Sequence, residues 1–174
     1  NRVTDLVGNN NTASTSSDNF VSYIVASGRT ATPTATSIPQ LNVIINEVAW
    51  SGTFANANDE WIELYNPTSN DIDLTQWKLT TDSGSVEIFW APLSTNTIIR
   101  AGAYYLIERG SDNYAVSDIA YDKDFSGTLS DDGEVLRLVD ASNRLIDIAN
   151  GDRGAWPAGS STTKGSMERV GNVQ

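Results

Sequence analysis

From residue 41 onward the chain is a succession of short apolar runs, each closed by Gly, Pro, Asn, Asp or Ser. The run "EWIELYN" alternates strictly. Ile62 and Leu64 fall on one face and Trp61, Glu63 and Tyr65 on the other, the period of a half-buried strand. "LNVIINEVAW", "WKLTT", "VEIFW", "TIIRAGAYYLIER", "GEVLRLVD" and "RLIDIA" read as further strands. Between them, "NPTSND", "DSG" and "ASN" supply turns, where Pro fixes φ and short polar side chains satisfy local amides. No stretch sustains a helical apolar repeat over three turns. Recurring strands with turn signals between them predict an all-β sandwich or barrel.

Residues 1–40 differ in kind. Of these, 22 are Ser, Thr, Asn or Ala, a composition that cannot bury enough apolar surface to order itself. Inside this tract lies "NFVSYIVAS", whose Phe20, Val21, Tyr23, Ile24 and Val25 predict a strand over residues 20–26. A lone strand is not stable. It is expected to add to a sheet edge, of its own chain or of a neighbouring copy. The predicted organisation is an N-terminal extension over residues 1–40 and a β domain over residues 41–174.

Composition narrows the partners. A hydrophobic share of 39% with five Trp suffices for a core, and a domain of this size hides about two-thirds of its unfolded surface. The absence of Cys removes disulfides, thiolate metal sites and thiol nucleophiles. Net charge is −11, and residues 1–40 are neutral, with Arg2 and Arg29 against Asp5 and Asp18. The domain therefore carries all the excess and repels phosphate backbones and anionic lipid, which argues against nucleic acid as a partner. No apolar run nears the roughly 20 residues of a membrane span, so no membrane insertion is expected. The chain opens on Asn1 without an apolar leader, as in a mature or excised form, and an extracellular or cell-surface location is expected.

Residues 42–170 resemble the lamin tail domain, an immunoglobulin-like β-sandwich known from nuclear lamins and from many secreted bacterial proteins. "VIINEVAW" is similar to the family's opening strand, and "DEWIELYNPTSNDIDLTQWKL" to its hallmark strand, turn and following Trp. "TIIRAGAYYLI", "LSDDGEVLRLVD" and "WPAGSSTTKGSMERV" follow in the family's order. Gln76 departs from the Gly usually placed before the Trp, which singles out the local turn. The resemblance implies an immunoglobulin-like sandwich, here with a strand-bearing extension, used as a structural or adhesive module. It brings no shared catalytic residues.

Several groups invite chemical readings. Glu47, Asp59, Glu60 and Glu63 beside Trp61 have the residue types of a glycosidase pair. Such catalysis needs one carboxyl held in an apolar cleft, which nothing in the sequence builds. Asp122, Asp124 and Ser126 match the opening of a calcium loop, but position twelve is Gly133 rather than Glu. Calcium is thus a candidate ligand, and no other cofactor is indicated. "STTK" at residues 161–164 fits the S-x-x-K pattern of acyl-transfer enzymes without a helix to present it. There is no His, the usual general base and commonest metal ligand. Trp77 and Trp156 are expected in the core, whereas Trp50 and Trp90, at strand ends, are expected to be open to solvent.

The expectation is a non-enzymatic extracellular structural or adhesive protein, with itself or cell-surface molecules as partners. In its sharper form it is a filament subunit joined through Phe20, Val21, Tyr23, Ile24 and Val25. The alternative is a non-catalytic accessory domain that binds carbohydrate or calcium.

Overall fold

The computed structural model describes residues 41–110 and 119–170, together with the backbone of β1 (Val3–Thr4) and β2 (Asn10–Asn11). The chain divides into two compact units, Asn1–Thr36 and Ser37–Gln174. In the first, β1 and β2 form an antiparallel pair. The predicted strand over residues 20–26 lies outside the described residues.

The second unit is an all-β, immunoglobulin-like sandwich, and no helix occurs among the described residues. Its strands are β3 (Ile44–Ala49), β4 (Trp61–Tyr65), β5 (Ile72–Asp73), β6 (Lys78–Thr81), β7 (Glu87–Phe89), β8 (Ile98–Ile99), β9 (Tyr104–Arg109), β10 (Lys123–Phe125), β11 (Leu136–Val139), β12 (Leu145–Ala149) and β13 (Met167–Glu168). One sheet runs β10-β9-β4-β3-β13 and the other β12-β11-β6-β7, with β5 and β8 as a small accessory pair. All ladders are antiparallel except β10 on β9.

The alternation read from the sequence sets which side chains meet between the sheets. Ile62 and Leu64 of β4 and Tyr105 and Ile107 of β9 face Leu79, Ile88, Leu136 and Leu138 of the opposite layer in one core cluster. β3 breaks simple alternation: Ile45 opposes Leu64 while Glu47 opposes Glu63, leaving Asn46 as the extra residue of a bulge. The bulge lets Ile45 and Val48, three apart, both face the core. Trp90 is fully buried because its indole N–H has a partner, the Tyr105 hydroxyl at 3.0 Å. That hydroxyl in turn donates to the Asn96 carbonyl at 2.6 Å. The expectation of solvent-open Trp50 and Trp90 is thereby overturned, since Trp50 is also buried and stacks on Trp156 with centroids 6.2 Å apart.

The sheets are pinned together where β12 meets β3. Asp147, almost fully buried, accepts the Ile45 amide at 2.8 Å and the Arg169 guanidinium at 2.6 Å. Arg169 also donates to the Ile45 carbonyl at 3.3 Å. Three segments converge on one carboxylate. Elsewhere Asn66, the Asn of "ELYN", donates its amide to the carbonyls of Asn70, Ile99 and Arg100 at 2.8, 3.1 and 3.0 Å, which ties the turn after β4 to β8.

Gln76 explains its own oddity. It holds a φ of 65°, inside the turn closed by Trp77 N–H on the Leu74 carbonyl at 2.8 Å. This left-handed region suits Gly and costs a residue with a Cβ about 1 kcal/mol or more. Gln76→Gly is expected to raise stability, by up to about 1 kcal/mol once the added freedom of the unfolded chain is subtracted. The readout is the urea midpoint at unchanged slope. Arg169→Ala is expected to lower stability by about 2–3 kcal/mol, because the Asp147 carboxyl stays buried without its cation.

Candidate functional site

The four carboxylates beside Trp61 do not converge on one site: Asp59 and Glu60 are buried, whereas Glu47 and Glu63 are opposed on the outer face of the sheet. Strand alternation places Glu60 on the side of Ile62 and Leu64, and Glu63 on the opposite face with Trp61 and Tyr65. Glu60 is buried, accepting the Leu129 amide at 3.0 Å and the Arg109 guanidinium at 3.2 Å. Burial pushes its pKa up to about 7, opposed by the Leu129 amide and Arg109 and reinforced by Asp131 and Glu134. Asp59, also buried, accepts the Thr53 hydroxyl at 2.7 Å and so fixes the loop between β3 and β4. These two groups hold loops.

Glu47 and Glu63 lie on the outer face of the five-stranded sheet. The side-chain amide of Asn46, the bulge residue, donates to Glu63 at 2.7 Å, and the Ser166 hydroxyl donates to Glu47. Partial burial raises the Glu63 carboxyl, a shift that Asn46 opposes and the neighbouring Glu47 and Glu168 carboxylates increase. Around them is a groove of about 350 Å³, with Trp61 and Tyr104 as aromatic walls and Leu106 and Ile119 as aliphatic surface. Tyr104 is 58% exposed and stacks on Tyr65 with ring centroids 4.7 Å apart.

Sequence reasoning found Trp61 and the carboxylates but passed over Tyr104 and Leu106, which read only as part of a strand. The pairing of Glu63 with Leu106 and of Tyr65 with Tyr104 brings them together. The available signal was alternation in "AYYLIER": Tyr104, Leu106 and Glu108 share a face opposite Tyr105 and Ile107.

The other candidate motifs are placed as follows. Asp122 accepts the Asn96 side-chain amide at 2.9 Å and the Leu106 amide at 2.8 Å, so both of its oxygens serve the fold. Asp124 sits within β10, which is a strand parallel to β9 rather than a loop, and Ser126 follows it. Gly127 has φ 102°, and a Cβ there would stand 1.9 Å from the Ser85 carbonyl oxygen, so close packing requires the glycine. Among the described residues, no group of three or more His, Cys, Asp or Glu is placed to hold a metal ion. In "STTK", Lys164 donates to the Ser51 carbonyl at 2.7 Å, from a turn bracketed by the Ser160–Gly165 bridge. Phe20, Val21, Tyr23, Ile24 and Val25 lie outside the described residues.

The model of one protein family, described as Lamin Tail Domain, matches residues 36–151, more than half of the chain. No curated protein matches it in sequence. The family match stops before Trp156 and β13, which the structure nevertheless builds into the sandwich.

The raised Glu60 carboxyl makes a signed prediction. Its folded pKa of about 7 stands above the ordinary value of 4.5, so the folded state holds the proton more tightly between the two. Its contribution to stability is complete below about pH 4.5 and is lost as pH rises through 7. Glu60→Gln removes this dependence. Unfolding free energies of wild type and variant, compared across that window, are expected to show a flatter profile in Glu60→Gln.

Proposed function

We propose a structural or adhesive role, without catalysis, for this chain, which belongs to the lamin tail domain family. The supporting observation is how the carboxylates are used. Glu60, Asp122 and Asp147 accept backbone amides from distant segments, and Glu60 lies on the core side of the sheet with Ile62 and Leu64 whereas Glu63 lies on the opposite face. General acid–base work needs two groups aimed at one reacting bond.

In its finer form the proposal is an extracellular filament subunit, in which residues 20–26 of one copy add as a strand to a sheet edge of the next. Two features support this. The segment Phe20, Val21, Tyr23, Ile24 and Val25 is β-prone within a tract too polar to order itself. The sheets also end in strands paired on one side only among the described residues, and β12, with five residues, is the longest of these. Backbone bonds to such an edge supply affinity, and pockets for alternate side chains supply register. A head-to-tail join that does not close gives a fibre.

The test is electron microscopy and sedimentation of the full chain beside a form lacking residues 1–40 and a Val21→Asp, Tyr23→Asp double variant. Filaments are expected from the full chain and from neither altered form. A full chain that stays monomeric at high concentration, or filaments that survive both changes, would refute strand donation.

A further inference from the structure

The outer face of the five-stranded sheet carries an arrangement that the sandwich itself does not need. Register places Glu168 opposite Glu47, and Glu47 opposite Glu63, on three adjacent strands. Directly opposed residues have Cβ atoms about 5 Å apart, where like charges repel. The ion pairs among the described residues include none of the three. Among the described residues, the donors that reach Glu47 and Glu63 are neutral, the Ser166 hydroxyl and the Asn46 side-chain amide. Alongside this row runs the groove of about 350 Å³ walled by Trp61 and Tyr104.

We propose that this groove receives a basic side chain, lysine or arginine, from a partner protein. The aliphatic stem lies along Trp61, Tyr104 and Leu106, and the cationic head sits beside Glu63 and Glu47. Charge complementarity selects this occupant. A cation converts the repulsion along the row into attraction, and its N–H groups match the free lone pairs of carboxylates that have few donors. Aromatic faces attract the same charge, and a long basic side chain naturally covers apolar surface with its stem while its head stays among polar groups. A neutral sugar would use the aromatic faces but leave the opposed carboxylates uncompensated. Asp122, at the rim, is already committed to Asn96 and the Leu106 amide, so the binding charge falls to Glu47 and Glu63. This contact uses the face of the sheet, not its edge, and stands apart from strand donation.

The experiment titrates the full chain with Nα-acetyl-lysine methylamide, followed by NMR at the tryptophan indole signals. The norleucine counterpart, which has a similar stem without the ammonium, and a chitin oligosaccharide serve as rival probes. The expected result is a saturable shift of the Trp61 signal by the lysine probe, weakened by added salt. Norleucine is expected to bind at least about tenfold more weakly, a difference equal to the loss of one charged contact. Glu63→Gln and Glu47→Gln should each weaken the lysine probe by about tenfold. Their unfolding midpoints should stay unchanged or rise, because a repulsion has been removed. Equal binding of lysine and norleucine probes, binding indifferent to both Gln variants, a response to the oligosaccharide alone, or no response up to the probe's solubility would each overturn the proposal.

Discussion

A backbone amide that faces no ladder partner, in a loop or on an open side of a strand, must still find an acceptor once buried. In this chain carboxylates meet much of that demand. Asp147 takes the Ile45 amide, Glu60 that of Leu129, Asp122 that of Leu106, Asp82 that of Val135 and Glu134 that of Ser130. Four of these five links bridge segments far apart in the chain, so each acts as a pin where a disulfide or a helix cap would serve in other folds. The acidic charge of the domain is therefore partly a structural device as well as a solvated surface.

The device has a cost, visible in two of its members. Burial raises the carboxyls of Glu60 and Asp147 even though amides and guanidinium groups oppose the shift. Arg109 and Arg169 stand beside them for the same reason, since a carboxylate taken out of water needs both a hydrogen bond and a countercharge. Among the described residues, Glu47, Glu63 and Glu168 have no such cation, and that contrast separates the acidic groups that hold the sandwich from those left available on its outer face.

Several of these roles were legible from residues alone. The alternation in "EWIELYN" separated Glu63 from the core side, and Gln76 flagged a turn that does hold a positive φ. Trp90 was misjudged because its burial depends on a hydroxyl 15 positions later in the chain, on a different sheet. The stretch around Asp124 suggested a loop because Asp122, Asp124 and Ser126 match the opening of a calcium loop, and only parallel pairing with β9 makes it a strand. Tyr104 joined Trp61 through register between β4 and β9, which no local pattern encodes.

Local periodicity and turn chemistry by themselves determined the fold class, the strands β3, β4, β6, β7, β9, β11 and β12 and the inward set of aliphatic residues, because each depends on neighbours within a few positions. The ordered motifs added the family. The tertiary structure alone decided which carboxylate meets which amide, where the bulge at Asn46 shifts the register, and which aromatic rings share a groove. Nearly all of those outcomes depend on contacts between residues from 16 to more than 100 positions apart, and a one-dimensional pattern carries no term for them.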